Sequence, residues 1–167
     1  AFSRNPLTGN NTFYGEWLQR AQGEDVVAGI RTPNPINIAS ITKPNNNLIT
    51  LEKSMPKIYS ELLLIKDRLE IHYKNMQDIE FTIQSHTLWI LQTRNAKRSG
   101  FASIKIALDM VEEKLISEKQ ALLRIKPHHL TEILHPNLDP EMEKLGILFS
   151  TGLPAGPGGA IGKIVFS

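Results

Sequence analysis

From Pro56 onward, apolar residues recur at intervals of three or four: Ile58, Leu62, Ile65, Leu69 and Tyr73. That spacing stacks them on one helical face and predicts a helix to about Asn75, with Ser54 available as its cap. The period then shortens. In DIEFTI, separated by QSHT from LWILQTR, the odd positions Ile79, Phe81, Ile83, Trp89 and Leu91 are apolar, while the even positions Asp78, Glu80, Thr82, Gln92 and Arg94 are polar. Alternation predicts the two strands of a hairpin, and an odd-length turn between them would gather the polar set on one face. Leu88 and Ile90 break the rule and read as a flanking apolar wall. Helical spacing returns at Phe101, Ile104, Leu108, Val111 and Leu115, and Ser117 with Gln120 has the form of a capping box opening a second helix that Pro127 ends. A third short helix, LTEILH, stops before Pro136, so Phe101 to about Lys144 reads as a helical linker module.

The flanks are less regular. Ala1 to Pro35 mixes turn formers with short apolar runs, as strands joined by loops would. Ile36 to Ser54, with KPNNN at its centre, reads as an exposed, variable connection with little reason to be rigid. After Gly152 the chain turns to glycine and proline and ends in an apolar, strand-like run, the expected opening of a further domain. No internal repeat signals a solenoid.

Composition adds exclusions. A chain of 167 residues with 41% hydrophobic and 22% charged residues has the make-up of a folded protein. Its formal net charge is only +2 and its basic residues are scattered, so charge does not imply nucleic acid. Arg94, Lys97 and Arg98 do cluster loosely, in a number suited to one phosphate group rather than a polymer. Cysteine is absent, which excludes disulfides and thiolate chemistry and leads us to expect the reducing cytoplasm. No apolar run has the length of a membrane span, and the first residues do not resemble a signal peptide. The chain begins without Met, and the expectation is a piece cut from a larger protein.

The strongest candidate site is the polar face of the hairpin. There Asp78 and Glu80 could share a divalent cation while Gln92 and Arg94 approach phosphate oxygens, since hard cations prefer carboxylates and the arginine fork suits phosphate. A solvated strand face with cross-strand charge pairs is the competing reading, and the commoner reason for such a pattern. Glu16 in FYGEW, with Glu24 and Asp25 in QGEDVVAG, could present carboxylates beside a nucleotide or sit on ordinary turns. The terminal Gly162-Lys163 is not a phosphate loop, because Pro157 stands where its first glycine belongs and Ile164 replaces the hydroxyl residue. His128, His129 and His135 lie near Glu132 but lack metal-ligand spacing and read as helix-surface histidines.

Six segments, SRNPLTG, YGEWLQRAQGEDVVAGIRTP, HYKNMQDIEFTI, LQTRNAKRSG, ILHP and GLPAGPGGAIGKIVF, occur in the order in which the pyruvate, phosphate dikinase family carries similar ones. The chain resembles that family along essentially its whole length. The resemblance implies an α+β fold: residues 1–96 as the C-terminal, β-rich part of an ATP-grasp nucleotide-binding domain with its hairpin, 97–150 as a helical linker, and 151–167 as the first strand of a swivelling phosphohistidine domain. It also implies a parent enzyme, cytoplasmic and homodimeric, that converts ATP, phosphate and pyruvate into AMP, diphosphate and phosphoenolpyruvate with Mg2+. By motif, Glu16 and Glu24 would line the nucleotide site. Asp78 and Glu80 would hold metal and phosphates, and Gln92 and Arg94 would contact the transferring phosphoryl group, with Glu80, Gln92 and Arg94 as the catalytic set. AKR replaces the family's usual GKR after LQTRN, and the connection through ITKPNNNLI looks longer than usual.

None of the five histidines lies in the TSHA-type segment where the family is phosphorylated. With that segment, the N-terminal ATP-grasp half and the pyruvate-binding barrel all outside these residues, the fragment is expected to be inactive alone, its partners being the remaining domains of the same polypeptide. Two alternatives stand beside this reading. One is a fragment of phosphoenolpyruvate synthase, which usually has a Pro-containing segment where NAKRSG stands; the other is a non-catalytic interaction module.

Overall fold

The computed structural model of the chain describes residues 1–21, 32–41, 49–134 and 145–147. Four short or medium strands and five α-helices occur among them. These are β1 (Glu16–Trp17), β2 (Asn34–Pro35), α1 (Leu51–Ser54), α2 (Pro56–Tyr73), β3 (Gln77–Gln84), β4 (Thr87–Asn95), α3 (Gly100–Glu112), α4 (Glu118–Arg124) and α5 (Pro127–Leu134). The mixed α+β composition expected from the sequence is therefore present.

Helix α2 begins with Pro56, whose fixed φ suits a first helical position. It ends at Lys74, which is left-handed with φ of 51°. Ser54 does not cap it. Ser54 instead closes α1, a single turn capped by the Thr50 side chain, which accepts from the Lys53 amide at 3.2 Å. The connection from Ile36 to Ser54 is also more tightly held at its described ends than expected. Ile36, Thr50 and Leu51 are fully buried, and the buried Asn37 amide donates to the Phe13 carbonyl at 2.6 Å. Its KPNNN centre lies outside the described residues.

The hairpin is formed, but by a different route from the expected odd turn. Ser85 and His86 make a two-residue turn with φ of 50° and 59°, the doubly left-handed geometry that matches strand twist. From that turn Phe81 pairs with Ile90, Thr82 with Trp89 and Ile83 with Leu88, an odd-to-even register. A bulge between Glu80 and Phe81 then inserts Leu91 as an extra residue, so that Glu80 pairs with Gln92 and Asp78 with Arg94. The apolar wall is accordingly reassigned. Leu88 is buried with Phe81 and Ile83 packed nearby, whereas Trp89 is 55% and Leu91 65% exposed. The bulge supplies the parity that the turn does not.

Along the other edge of β3 runs the start of the chain, where Phe2 bridges Tyr14 on one side and Asp78 on the other. The Ser3 amide donates to the Gln77 carbonyl at 2.8 Å. One apolar cluster, with Phe13, Trp17, Ile36, Leu51, Ile58, Leu62 and Leu88, fills the space under α2 and the hairpin. A second, with Met76, Ala102, Ile106, Met110, Ile116 and Ala121, lies among β3, α3 and α4.

Helix α3 buries a different stripe from the one its large residues mark. Ala102, Ser103, Ile106, Ala107 and Met110 face inward, while Phe101 and Leu108 are exposed. At its first residue α3 approaches α5 closely: a Cβ on Gly100 would stand 2.5 Å from the His129 carbonyl oxygen. The Gly100 amide donates to Glu132 Oε2 at 2.9 Å, and Ser99 caps the helix through Ala102. Downstream, the capping box at Ser117 and Gln120 forms as the sequence predicts, both reciprocal bonds being present. Residues 151–167, with the expected strand of a further domain, lie outside the described residues.

Candidate functional site

The cross-strand register decides which predicted site residues meet. Side chains on directly paired residues project from the same face, so Asp78, Glu80, Gln92 and Arg94 share one face of the hairpin. Thr82 and Trp89 continue that face, and the exposed indole is a member that parity alone assigned to the other side. Knowing the two-residue turn would have found it.

Asp78 is largely buried, with its side chain 11% exposed, and it takes both contacts from Arg94 on one oxygen. Arg94 Nε donates to Asp78 Oδ2 at 2.9 Å, and Nη2 stands 2.8 Å from the same atom. The hydrogen bond and the charge of Asp78 together hold the Arg94 guanidinium above its ordinary value, so it is cationic at every accessible pH. Arg94 itself is 61% exposed. This pairing is a rigid acid anchoring a solvent-facing cation at its Nε side, with Nη1 uncommitted among the described residues.

Glu80 is exposed and, among the described residues, makes no hydrogen bond or ion pair. Gln92 opposite it is exposed as well. Glu16 stands on β1, also exposed, and its charge reaches the Ala1 amino group together with those of Asp78 and Glu80. Three acidic side chains thus gather on this side of β3. Among the described residues no three His, Asp or Glu side chains close on a common point as metal ligands. Glu24 and Asp25 lie outside the described residues, as does His135.

The opposite face of the strands is locked rather than open. Gln77 is buried, and its amide donates to Asn95 Oδ1 at 2.9 Å while Thr93 donates to its carbonyl oxygen at 3.1 Å. Beneath it sits a buried ionic group that the sequence reading did not single out. Arg4, fully buried, donates from Nε and Nη2 to Glu70 and from Nη1 and Nη2 to Glu113, and Ser3 Oγ donates to Glu70 at 2.6 Å. Burial would pull the Arg4 guanidinium down, but hydrogen bonds to Glu113 and Glu70 carry it above its ordinary value. The signal for Glu70 was available: it continues the four-residue ridge of Ile58, Leu62 and Lys66, all buried. Neither Lys97 nor Arg98 joins Arg94. The Arg98 guanidinium donates to Asn75 Oδ1 at 2.9 Å, on the side of the helical module. His129 Nδ1 accepts from the Lys126 amide at 3.2 Å, and His128 packs edge-on against it at 4.3 Å, so these histidines are held by each other and by backbone.

An acidic strand face with an anchored, outward arginine is the kind of surface that nucleotide-binding domains turn toward phosphates. A family model described as the pyruvate phosphate dikinase AMP/ATP-binding domain matches residues 56–115, the span from α2 through the hairpin to the end of α3. The whole chain is 51% identical over 167 residues to pyruvate, phosphate dikinase of Rhizobium meliloti (strain 1021), covering 100% of this chain and 18% of that protein. It is 47% identical over 166 residues to the chloroplastic pyruvate, phosphate dikinase of Flaveria pringlei, covering 99% of the chain and 16% of the relative. Against the Rickettsia conorii dikinase it is 50% identical over 167 residues, again 18% of the relative. From end to end the chain is therefore similar to one segment of the pyruvate, phosphate dikinase family, and the resemblance seen in its motifs is borne out. The chain spans 16–18% of the length of these curated relatives.

Proposed function

We propose that the chain supplies one wall of the ATP site of a phosphotransferase that converts ATP, phosphate and pyruvate into AMP, diphosphate and phosphoenolpyruvate. The observation that carries this reading is the pairing of Asp78 with Arg94 and Glu80 with Gln92 on one open face, inside the span matched by the AMP/ATP-binding family. Phosphoryl transfer asks little covalent chemistry of the protein and much positioning and charge stabilisation. Arg94 meets that demand: Asp78 fixes one edge of the guanidinium, and the other edge is free to meet an oxygen of the moving phosphoryl group. The Gln92 amide donates to a second oxygen. Glu80, without a partner among the described residues, offers carboxylate oxygens for Mg2+, and Asp78 adds Oδ1, which in this structure stands 3.8 Å from the Ala1 amino group that the ion would displace.

The donor set fits that ion, because magnesium takes one or two carboxylates and completes its shell with water and substrate phosphates rather than with a protein cage. When bound it supplies charge neutralisation on the ATP phosphates. Glu16, on β1, lines the nucleotide, and Glu24, outside the described residues, is assigned to it by motif alone. The domain scheme that accompanies this reading assigns 1–96 to the ATP-grasp part, 97–150 to the linker and 151–167 to the opening of the phosphohistidine domain. The partners are then the other domains of the same polypeptide and a second copy in a homodimer. A site with one wall does not turn over, so the chain by itself is inactive. A cytoplasmic location is supported by the lack of cysteine, and no helix among the described residues is long and apolar enough to cross a membrane. The relatives reported above are dikinases, which favours this reading over a synthase fragment or a non-catalytic module.

Glu80→Gln in a full-length enzyme carrying this segment tests the assignment. Removing one charged oxygen ligand should raise the magnesium concentration for half-maximal ATP-dependent phosphorylation by about tenfold or more. An unchanged magnesium response would return Glu80 to the solvated surface.

A further inference from the structure

A second charged surface lies apart from the hairpin's acidic face. Where β4 leaves the sheet, Lys97 and Arg98 meet Arg124 of α4, Lys126 before α5 and His129 of α5 around a cleft of about 560 Å3, with Asn75 also on its wall. Among the described residues no carboxylate lines it. Among the described residues none of its cationic side chains is in an ion pair: Arg98 bonds the neutral Asn75 amide oxygen, and Arg124 the Lys74 carbonyl at 2.6 Å. Among the described residues the acids whose charge reaches the cleft are Glu70, at Arg98, and Glu132, at His129, and both have other partners. Glu70 is held by Arg4 and Ser3, and Glu132 by the Gly100 amide.

Cations gathered with no ion pair among the described residues are costly unless something supplies the missing counter-charge. Arg98 is pushed below its ordinary value by burial first and then by repulsion from Arg124 and Arg4. Because the Lys126 amide donates to His129 Nδ1, the neutral ring carries its proton on Nε2 and can only donate there. The cleft therefore offers donors and positive charge on several sides, in a volume of the size that small-molecule sites occupy. Two guanidiniums with two ammoniums also select for a multivalent oxyanion over a single carboxylate.

We propose that this cleft is a binding site for a small phosphate-bearing anion, separate from the ATP-site face that carries Arg94. It goes beyond the proposed function, since none of the cleft residues named here has a role there. The shared chemistry is a phosphate dianion, free or esterified, seated between Arg98 and Arg124 with Lys126 at the rim.

Calorimetric titration of the protein with inorganic phosphate, diphosphate and ribose 5-phosphate, each without added metal, tests it. The expected result is saturable binding of at least one of them, weakened about tenfold or more by Arg98→Gln, as loss of a charge-assisted bond entails. Lys126→Gln, at an exposed side chain with no bond among the described residues, should weaken it several-fold without disturbing the fold. Arg94→Ala should leave it unchanged. Which probe binds tightest separates a free anion from an ester. No saturation by about 10 mM of any probe would overturn the proposal. So would loss that follows Arg94→Ala instead of the cleft variants, equal affinity in all variants, or tighter binding of succinate than of every phosphate. Because the hairpin is read by Arg94 and Glu80 alone, failure here leaves the ATP-site assignment standing, and the reverse also holds.

Discussion

Arg4→Met should be among the most destabilising single substitutions in the described part of the chain. Arg4 is fully buried and is the shared cation of two carboxylates, with Nη2 3.0 Å from Glu70 and 2.6 Å from Glu113. The two partners differ in what they would cost. Glu113 has a side chain 35% exposed and can turn to water, so its loss of the pair is worth about 0–1 kcal/mol. Glu70 has a side chain 5% exposed and would be left as an uncompensated buried charge, a loss of about 3–5 kcal/mol. Ser3 Oγ still donates to Glu70 at 2.6 Å, which places the expected total toward the lower end, near ~3 kcal/mol. Urea unfolding followed by far-ultraviolet circular dichroism measures it as a change in midpoint at constant slope. Glu113→Gln should cost under about 1 kcal/mol, and Arg4→Met with Glu70→Met should recover much of the loss, since an apolar pair replaces the charged one. A cost below about 1 kcal/mol for Arg4→Met, or a double variant as unstable as the sum of the singles, would refute the reasoning.

Gly100→Ala places a methyl group 2.5 Å from the His129 carbonyl oxygen and 2.9 Å from Glu132 Oε2, so it should cost about 1–3 kcal/mol in the same urea assay, although alanine is the better helix former. A neutral or stabilising result would mean that α3 and α5 separate freely. For the chain alone, calorimetry should find Mg-ATP binding weaker than about 10 μM, because the proposed nucleotide site has one wall here; tighter binding would show the site to be self-sufficient.

Much of this arrangement was legible in the residues, and what escaped did so for physical reasons. Period alone located α2, the hairpin and α3, and the Ser117–Gln120 signature located a helix start, because these are local properties of the backbone. Which face is buried is not local. In α3 the bulky Phe101 and Leu108 suggested the inner stripe, yet Ala102, Ile106, Ala107 and Met110 are the residues buried, and at Gly100 the approach of α5 leaves no room for a side chain. In α2 the buried ridge ends in Lys66 and Glu70, which hydropathy would send outward and which ion pairing holds in. The same split applies to the site. The even-numbered polar face was read correctly at Asp78, Glu80, Gln92 and Arg94, but the Leu91 bulge that creates it was not, and Trp89 was placed on the wrong side. A bulge depends on how two strands pair, and a turn of two residues such as Ser85-His86 carries no Asn-Gly signature to announce it.

Arg94 is proposed to act on the phosphoryl group leaving ATP. Isotope exchange measured separately for the two half-reactions of a full-length enzyme carrying this segment tests it most directly. Arg94→Ala should reduce exchange through ATP and phosphate by about a thousandfold or more, as loss of a transition-state arginine does, with Arg94→Lys rescuing little because an ammonium lacks the planar fork. Exchange between pyruvate and phosphoenolpyruvate, to which the proposal assigns none of these residues, should survive in both variants. Equal loss in the two half-reactions would show that the substitution only unfolds the protein, and undiminished ATP exchange would contradict the account.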